Sequence, residues 1–142
     1  MNFKDIHIGE LIEKRISENK IETSRICNFL NCSEEDIIKM YTAKDLNTET
    51  LLRWSKLLEY DFFRIYSQHL ILYAPMSKID KTDNGENEKS KLPQFRKNIY
   101  TREVIFFILE RIEMKEKTIL QIISEYNIPK TTLYKWIKKY KI

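Results

Sequence analysis

Apolar residues recur along this chain at intervals of three and four, the spacing that gathers side chains onto one face of an α-helix. Five such segments lie between Ile8 and Tyr73. The first offers Ile8, Leu11, Ile12 and Ile16 as its inward side, and the second, with Thr23 or Ser24 as its cap, offers Ile26, Cys27 and Leu30. A third, capped by Ser33, contains Ile37 and Ile38. The fourth opens at Thr48 and presents Leu51, Leu52, Leu57 and Leu58, and the fifth opens at Asp61 with Phe62, Ile65, Tyr66 and Leu70. Ser, Thr and Asp are assigned as caps because their side-chain oxygens accept from the unpaired N–H groups of a first helical turn.

The repeat stops over residues 76–98, which hold Gly85, Pro93 and a high density of charge. That composition predicts a flexible linker. Beyond it the helical spacing returns: Thr101 caps a segment with Val104, Ile105, Ile108 and Ile112, and Thr118 caps one with Ile119, Ile122, Ile123 and Tyr126. The last carries Leu133, Trp136, Ile137 and Tyr140. Only Asn127-Ile128-Pro129 separates the final two. Asn tolerates the left-handed backbone that ends a helix, and Pro suits the first turn of the next, where its missing N–H would have been unpaired. Two short helices on a three-residue turn make a helix-turn-helix, whose second helix enters the major groove of DNA. The fold class expected is all-α, with small helical domains at 1–75 and 99–142 joined by the charged linker.

Charge sharpens the division. Residues 1–75 carry 10 Lys and Arg against 12 Asp and Glu, whereas residues 76–142 carry 15 against 9, for a chain total of +4. No acid follows Glu125. A basic module attracts polyanions through counterion release and steering, and nucleic acid is the commonest of these.

The residues Tyr100-Thr-Arg-Glu-Val, Ile119 to Tyr126, and Asn127-Ile-Pro-Lys-Thr-Thr-Leu-Tyr-Lys-Trp-Ile-Lys-Lys-Tyr140 resemble the N-terminal DNA-binding helix-turn-helix of bacterial insertion-sequence transposases. The resemblance covers about the last third of the chain, with Asn127 and Pro129 standing where that family usually has Gly and Ser. It implies double-stranded DNA as the partner. Upstream, Ile8-Gly9, Ile12, Arg15, Thr23 to Leu30, Ser33 to Lys39 and Thr50-Leu-Leu-Arg-Trp-Ser-Lys-Leu-Leu58 are similar in layout to the Cro/repressor-like (XRE) helix-turn-helix domains. Where that family has polar or basic residues at the start of its recognition helix, this chain has Glu34, Glu35 and Asp36. Carboxylates are repelled by phosphate-walled grooves, so this half is expected to serve assembly, partner binding or weak DNA contact.

Geometry then assigns roles in the last helix, because N-terminal residues of a recognition helix meet base edges and flanking residues meet the backbone. Lys130, Thr131, Thr132, Tyr134 and Lys135 are the candidate groove contacts, the lysines for guanine, the threonine methyls for thymine and the hydroxyls for either edge or phosphate. Lys138, Lys139 and Lys141 are candidate phosphate contacts, joined by Arg102 from the preceding domain helix. Trp136 and Tyr140, spaced with Leu133 and Ile137, are expected in the core and not as stacking platforms. Phe106, Phe107 and Leu109 make their helix apolar nearly all round, which calls either for a partner covering Phe106 or Phe107, namely a second copy of this chain, the N-terminal domain or a helical protein, or for a central place in the domain.

The sequence argues against several other classes. His7 and His69 stand far apart, and two glycines leave no phosphate loop or nucleophile elbow, so no enzymatic role is expected. No cofactor or metal is implied: Cys27 and Cys32 fit neither zinc spacing nor Cys-x-x-Cys, and read as reduced, mostly buried thiols. No segment resembles a signal peptide, and the run Val104 to Leu109 is far below the ~20 residues of a membrane span. A cytoplasmic location follows as an expectation. The function expected is sequence-specific DNA binding as a transposase-like, mobile-element accessory protein without its own catalytic domain. The alternatives are a transcriptional regulator and a protein–protein assembly module.

Overall fold

In the computed structural model, which describes residues 1–74, 91–93 and 99–140, the helical spacing resolves into eight α-helices with no strand among the described residues. They are α1 (Ile8–Asn19), α2 (Thr23–Leu30), α3 (Glu34–Thr42), α4 (Thr48–Leu58), α5 (Phe63–Tyr73), α6 (Arg102–Glu113), α7 (Ile119–Glu125) and α8 (Lys130–Tyr140). The fold is all-α. The linker expected at 76–98 lies, apart from 91–93, outside the described residues.

Local chemistry sets most helix starts. The Ser33 hydroxyl accepts from the Asp36 N–H while the Asp36 carboxylate accepts from the Ser33 N–H, a reciprocal box that Thr118 and Gln121 repeat at α7. Thr101 caps α6 and Asn47 caps α4 through their side-chain oxygens. At α2 the cap expected at Thr23 or Ser24 is displaced to Glu22, whose side chain makes no capping bond.

The chain forms two compact units, Asn2–Tyr66 and Ser67–Ile142, with the boundary inside α5. Residues 67–75 carry no Lys, Arg, Asp or Glu, so the charge balance of residues 1–75 is also that of residues 1–66.

In the N-terminal unit α1 packs on α3 and α4, and α2 packs on the same pair. Ile8, Ile12, Ile26, Leu30, Ile37, Leu51, Trp54, Leu57, Leu58, Phe62 and Ile65 are buried. Leu52, expected on the inward side of its helix, is exposed, and so is Ile38. Each follows a fully turned-in neighbour, Ile37 or Leu51, and a residue one step along a helix points about 100° away. Trp54 takes the inward place instead, its indole N–H directed at the Met40 sulfur at 3.2 Å. The α1 start meets the α3 end: the Ile8 N–H donates to the Lys44 carbonyl and the Gly9 N–H to the Ala43 carbonyl, both at 3.1 Å. Unpaired donors of one helix thereby satisfy carbonyls just past the end of another.

In the C-terminal unit α6 packs on α8, and Val104, Ile108, Leu109, Ile122, Tyr126, Ile128, Leu133 and Trp136 form the core. Leu72 and Gln68 from the second half of α5 are also buried. Gln68 pairs both ends of its amide in that position: its Nε2 donates to the Ile99 carbonyl at 2.6 Å and its Oε1 accepts from the Thr101 N–H at 3.1 Å. This ties α5 to the residues that cap α6. Leu70, expected inward, is exposed because Ile65, Gln68 and Leu72 occupy the buried side of α5.

Gly9 lies where α1 approaches the backbone at the end of α3. A Cβ there would stand 2.3, 2.4 and 2.6 Å from the carbonyl oxygens of Met40, Tyr41 and Ala43. Backbone must move to admit it. Gly9→Ala is expected to cost about 2–3 kcal/mol by overpacking, read as a lowered midpoint in thermal or urea unfolding. A variant as stable as the parent would contradict the close approach of α1 and α3.

Candidate nucleic-acid interface

The turn into α8 begins at Tyr126, which ends α7 and buries its ring, and continues through Asn127 in the left-handed region at φ 51°. Ile128 is buried in the middle of the turn, so the three-residue connection also fills the core. The Pro129 carbonyl accepts from the Thr132 N–H at 2.9 Å and the Leu133 N–H at 3.1 Å, starting α8 at Lys130. Lys117, from just before α7, braces the end of α7 that meets this turn, paired with Glu125 and with its Nζ 5.8 Å from the centre of the Tyr126 ring. Burial pushes the Tyr126 hydroxyl's pKa up, with the Glu125 charge adding to it. The hydrogen bond from Lys117 to Glu125 raises the lysine's own pKa.

Two residues fix the rotation of α8. Leu133 is fully buried and Trp136 nearly so, with the Tyr100 ring edge-on to the indole at 4.9 Å between centroids. Tyr140 meets Phe106 of α6 in the same manner at 5.1 Å. With about 100° per residue, the six residues Lys130, Tyr134, Lys138, Thr131, Lys135 and Lys139 then span, in that angular order, roughly the opposite half of the helix surface. All six are exposed. The four lysines enter no ion pair among the described residues. Lys130 instead lies over the Tyr134 ring at 5.8 Å and Lys139 over the Tyr140 ring at 5.5 Å.

The expected DNA-facing residues are therefore brought together on one surface, with two qualifications. Thr132 is only half-exposed and flanks the buried stripe, which withdraws its methyl from the outer face. Lys141 lies outside the described residues. Arg102, in the first turn of α6, is exposed. The core places of Trp136 and Leu133 match their spacing, while Ile137 and Tyr140 are partly exposed at its rim. Of the apolar run in α6, Leu109 is buried, Phe107 is half-buried under the Arg111 guanidinium at 4.8 Å from the ring centre, and Phe106 remains exposed.

The start of α3 in the N-terminal unit carries the opposite charge. Glu34, Glu35 and Asp36 are all exposed at the start of α3. The Ser33 hydroxyl, then the Ser33 N–H, hold the Asp36 carboxyl below the usual carboxylate range. Several cations of this unit are committed locally. Arg53 donates to the Leu30 and Phe29 carbonyls at 3.0 and 2.6 Å, closing the end of α2. Lys44 pairs with Asp5 at 2.7 Å, and Arg64 lies 3.8 Å from Asp61.

Among the described residues no group of His, Cys, Asp and Glu is placed to hold a metal ion, and no helix is long and apolar enough to cross a membrane. No family model matches the chain, and no curated protein or solved structure matches it either.

The two faces of α8 should separate under substitution. Trp136→Ala removes a buried indole and its packing against Tyr100, at an expected cost of about 3–5 kcal/mol to the C-terminal unit. Lys138→Ala should leave thermal stability within about 0.5 kcal/mol of the parent. Comparable destabilisation by both would show that the lysine side of the helix is packed as well.

Proposed function

We propose that this chain binds double-stranded DNA with sequence preference through the outer face of α8, with α7 and the turn at Asn127–Pro129 as its scaffold. The observation that carries the reading is the exposed face of Lys130, Thr131, Tyr134, Lys135, Lys138 and Lys139, whose lysines have no carboxylate partner among the described residues. Exposed ammonium groups on a helix about 16 Å long match a groove about 12 Å wide, walled by phosphates. Lys130, Thr131, Tyr134 and Lys135 face base edges. Lys138, Lys139 and Arg102 grip the backbone, with Lys141 continuing the same basic sequence.

The resemblance of residues 100–140 to the helix-turn-helix of insertion-sequence transposases favours a mobile-element accessory role, in which the chain supplies DNA recognition. Acting at promoters as a transcriptional regulator uses the same contacts. The acidic start of α3 gives the N-terminal unit a different task, assembly or regulation. A second reading, protein–protein assembly without DNA specificity, draws on the exposed Phe106 edge of α6.

Titrating labelled duplexes with the full chain at several salt concentrations tests the division of roles. Lys138→Ala with Lys139→Ala is expected to weaken binding to all duplexes alike and to flatten the log–log salt slope by about one unit for each phosphate no longer neutralised. Lys130→Ala with Lys135→Ala should instead narrow the gap between preferred and random sequences, by about 1–3 kcal/mol for each base edge no longer read. Equal weakening on preferred and random DNA from both pairs would refute the assignment, and salt-independent binding would refute the electrostatic attraction altogether.

A further inference from the structure

The two cysteines are separated by four residues in sequence, but the way α2 ends brings them together. Asn31 adopts the left-handed conformation at φ 52°, and the Cys32 N–H turns back to donate to the Cys27 carbonyl at 3.2 Å. A bond of this six-to-one kind across a left-handed residue sets the side chains of its first and last residues against each other. It also bounds their separation: the bond lengths from each Cα to the hydrogen-bonded atoms, added to the N···O distance of 3.2 Å, reach about 7.4 Å even if collinear, and the fixed angle at the carbonyl carbon shortens this. Bending at either atom brings the pair within the about 4.4–6.8 Å range in which cysteines are bridged without backbone movement. Both side chains are partly exposed, so a small reagent can reach them. The Cys32 thiol is raised above its ordinary pKa first by burial and next by the Cys27 charge.

We propose that Cys27 and Cys32 are a redox-active dithiol that closes to an internal disulfide across the end of α2 when the chain meets a low-molecular-weight disulfide such as oxidised glutathione. One cysteine, as thiolate, attacks the reagent's sulfur, its S–S bond breaks and one reagent thiolate leaves. The second cysteine then attacks the mixed disulfide, forming the Cys27–Cys32 bond and releasing the other reagent thiolate. The protein gives up two protons and two electrons, and the reagent is reduced to two thiols. The bridge closes directly before Ser33, the cap of α3, and so fixes the α2–α3 turn covalently. Arg53 holds the same end of α2 through the Leu30 and Phe29 carbonyls, which keeps the pair aligned in the reduced chain.

The test is equilibration of the full reduced chain with a series of glutathione redox buffers, in native buffer and in concentrated guanidinium, followed by acid quench and intact mass. The native chain is expected to lose two hydrogens as a monomer at a reduced-to-oxidised glutathione ratio at least about tenfold more reducing than the denatured chain requires, the mark of thiols held together by the fold. Peptide mapping should join the Cys27 and Cys32 peptides, and because the chain has two cysteines the assignment is unambiguous. Cys27→Ser and Cys32→Ser should each carry glutathione as a mixed disulfide and form no internal bridge. The proposal is overturned if the native chain closes no more readily than the denatured one, stays reduced where the denatured chain oxidises, or accumulates only mixed disulfides and cross-linked dimers.

Discussion

The burial of Leu133 and Trp136 is the constraint on which the C-terminal surface depends. A helix presents its side chains at fixed angles, so once two of them are locked into a core the direction of every other is decided. Tyr100 closes over the indole, and Ile128 and Tyr126 fill the space under the turn. The lysines follow as a consequence. They need no specific partner to be held outward, because desolvating an unpaired ammonium costs far more than leaving it in water.

The two units use cations in contrasting ways. In the N-terminal unit Arg53 closes the end of α2, Lys44 binds Asp5, and Arg15 lies over the Tyr60 ring at 5.2 Å with Glu18 nearby. Those charges are absorbed by the fold. In the C-terminal unit Arg111 and Lys117 are absorbed in the same way, paired with Glu116 and Glu125, and brace the approach to α7. The lysines of α8 stand apart from this arrangement. A surface that keeps four ammonium groups within one helix, none with a carboxylate partner among the described residues, attracts polyanions at long range, and salt weakens that attraction.

Much of this was readable from residue order. Ser33, Thr101 and Thr118 cap helices because short hydroxyl side chains reach the third N–H of a turn, and Asn127 takes a left-handed conformation for which Asn is suited. Other features left little mark. Lys20 and Glu59 also end helices in the left-handed region, at φ 52° and 48°, although neither residue type favours it; tertiary packing overrides the local preference. Ile38, Leu52 and Leu70 sit in apolar clusters that spacing alone assigns inward, yet a helix packed on one side buries a stripe narrower than the cluster. Gln68 is a polar residue in a core position, and only its pairing with Ile99 and Thr101, thirty-odd residues away, explains it. The nearness of Cys27 to Cys32 likewise depends on Asn31, whose left-handed turn is a property of the helix end and not of cysteine spacing.

That the lysine face of α8 is the surface that meets DNA is most directly tested by following backbone amide shifts of the isotope-labelled full chain as a duplex selected from a random pool is added. The largest changes are expected from Lys130 to Lys139 and around Arg102, fading as salt is raised, with the start of α3 little affected. Changes centred on Glu34 to Ile38, or none on α8, would contradict it.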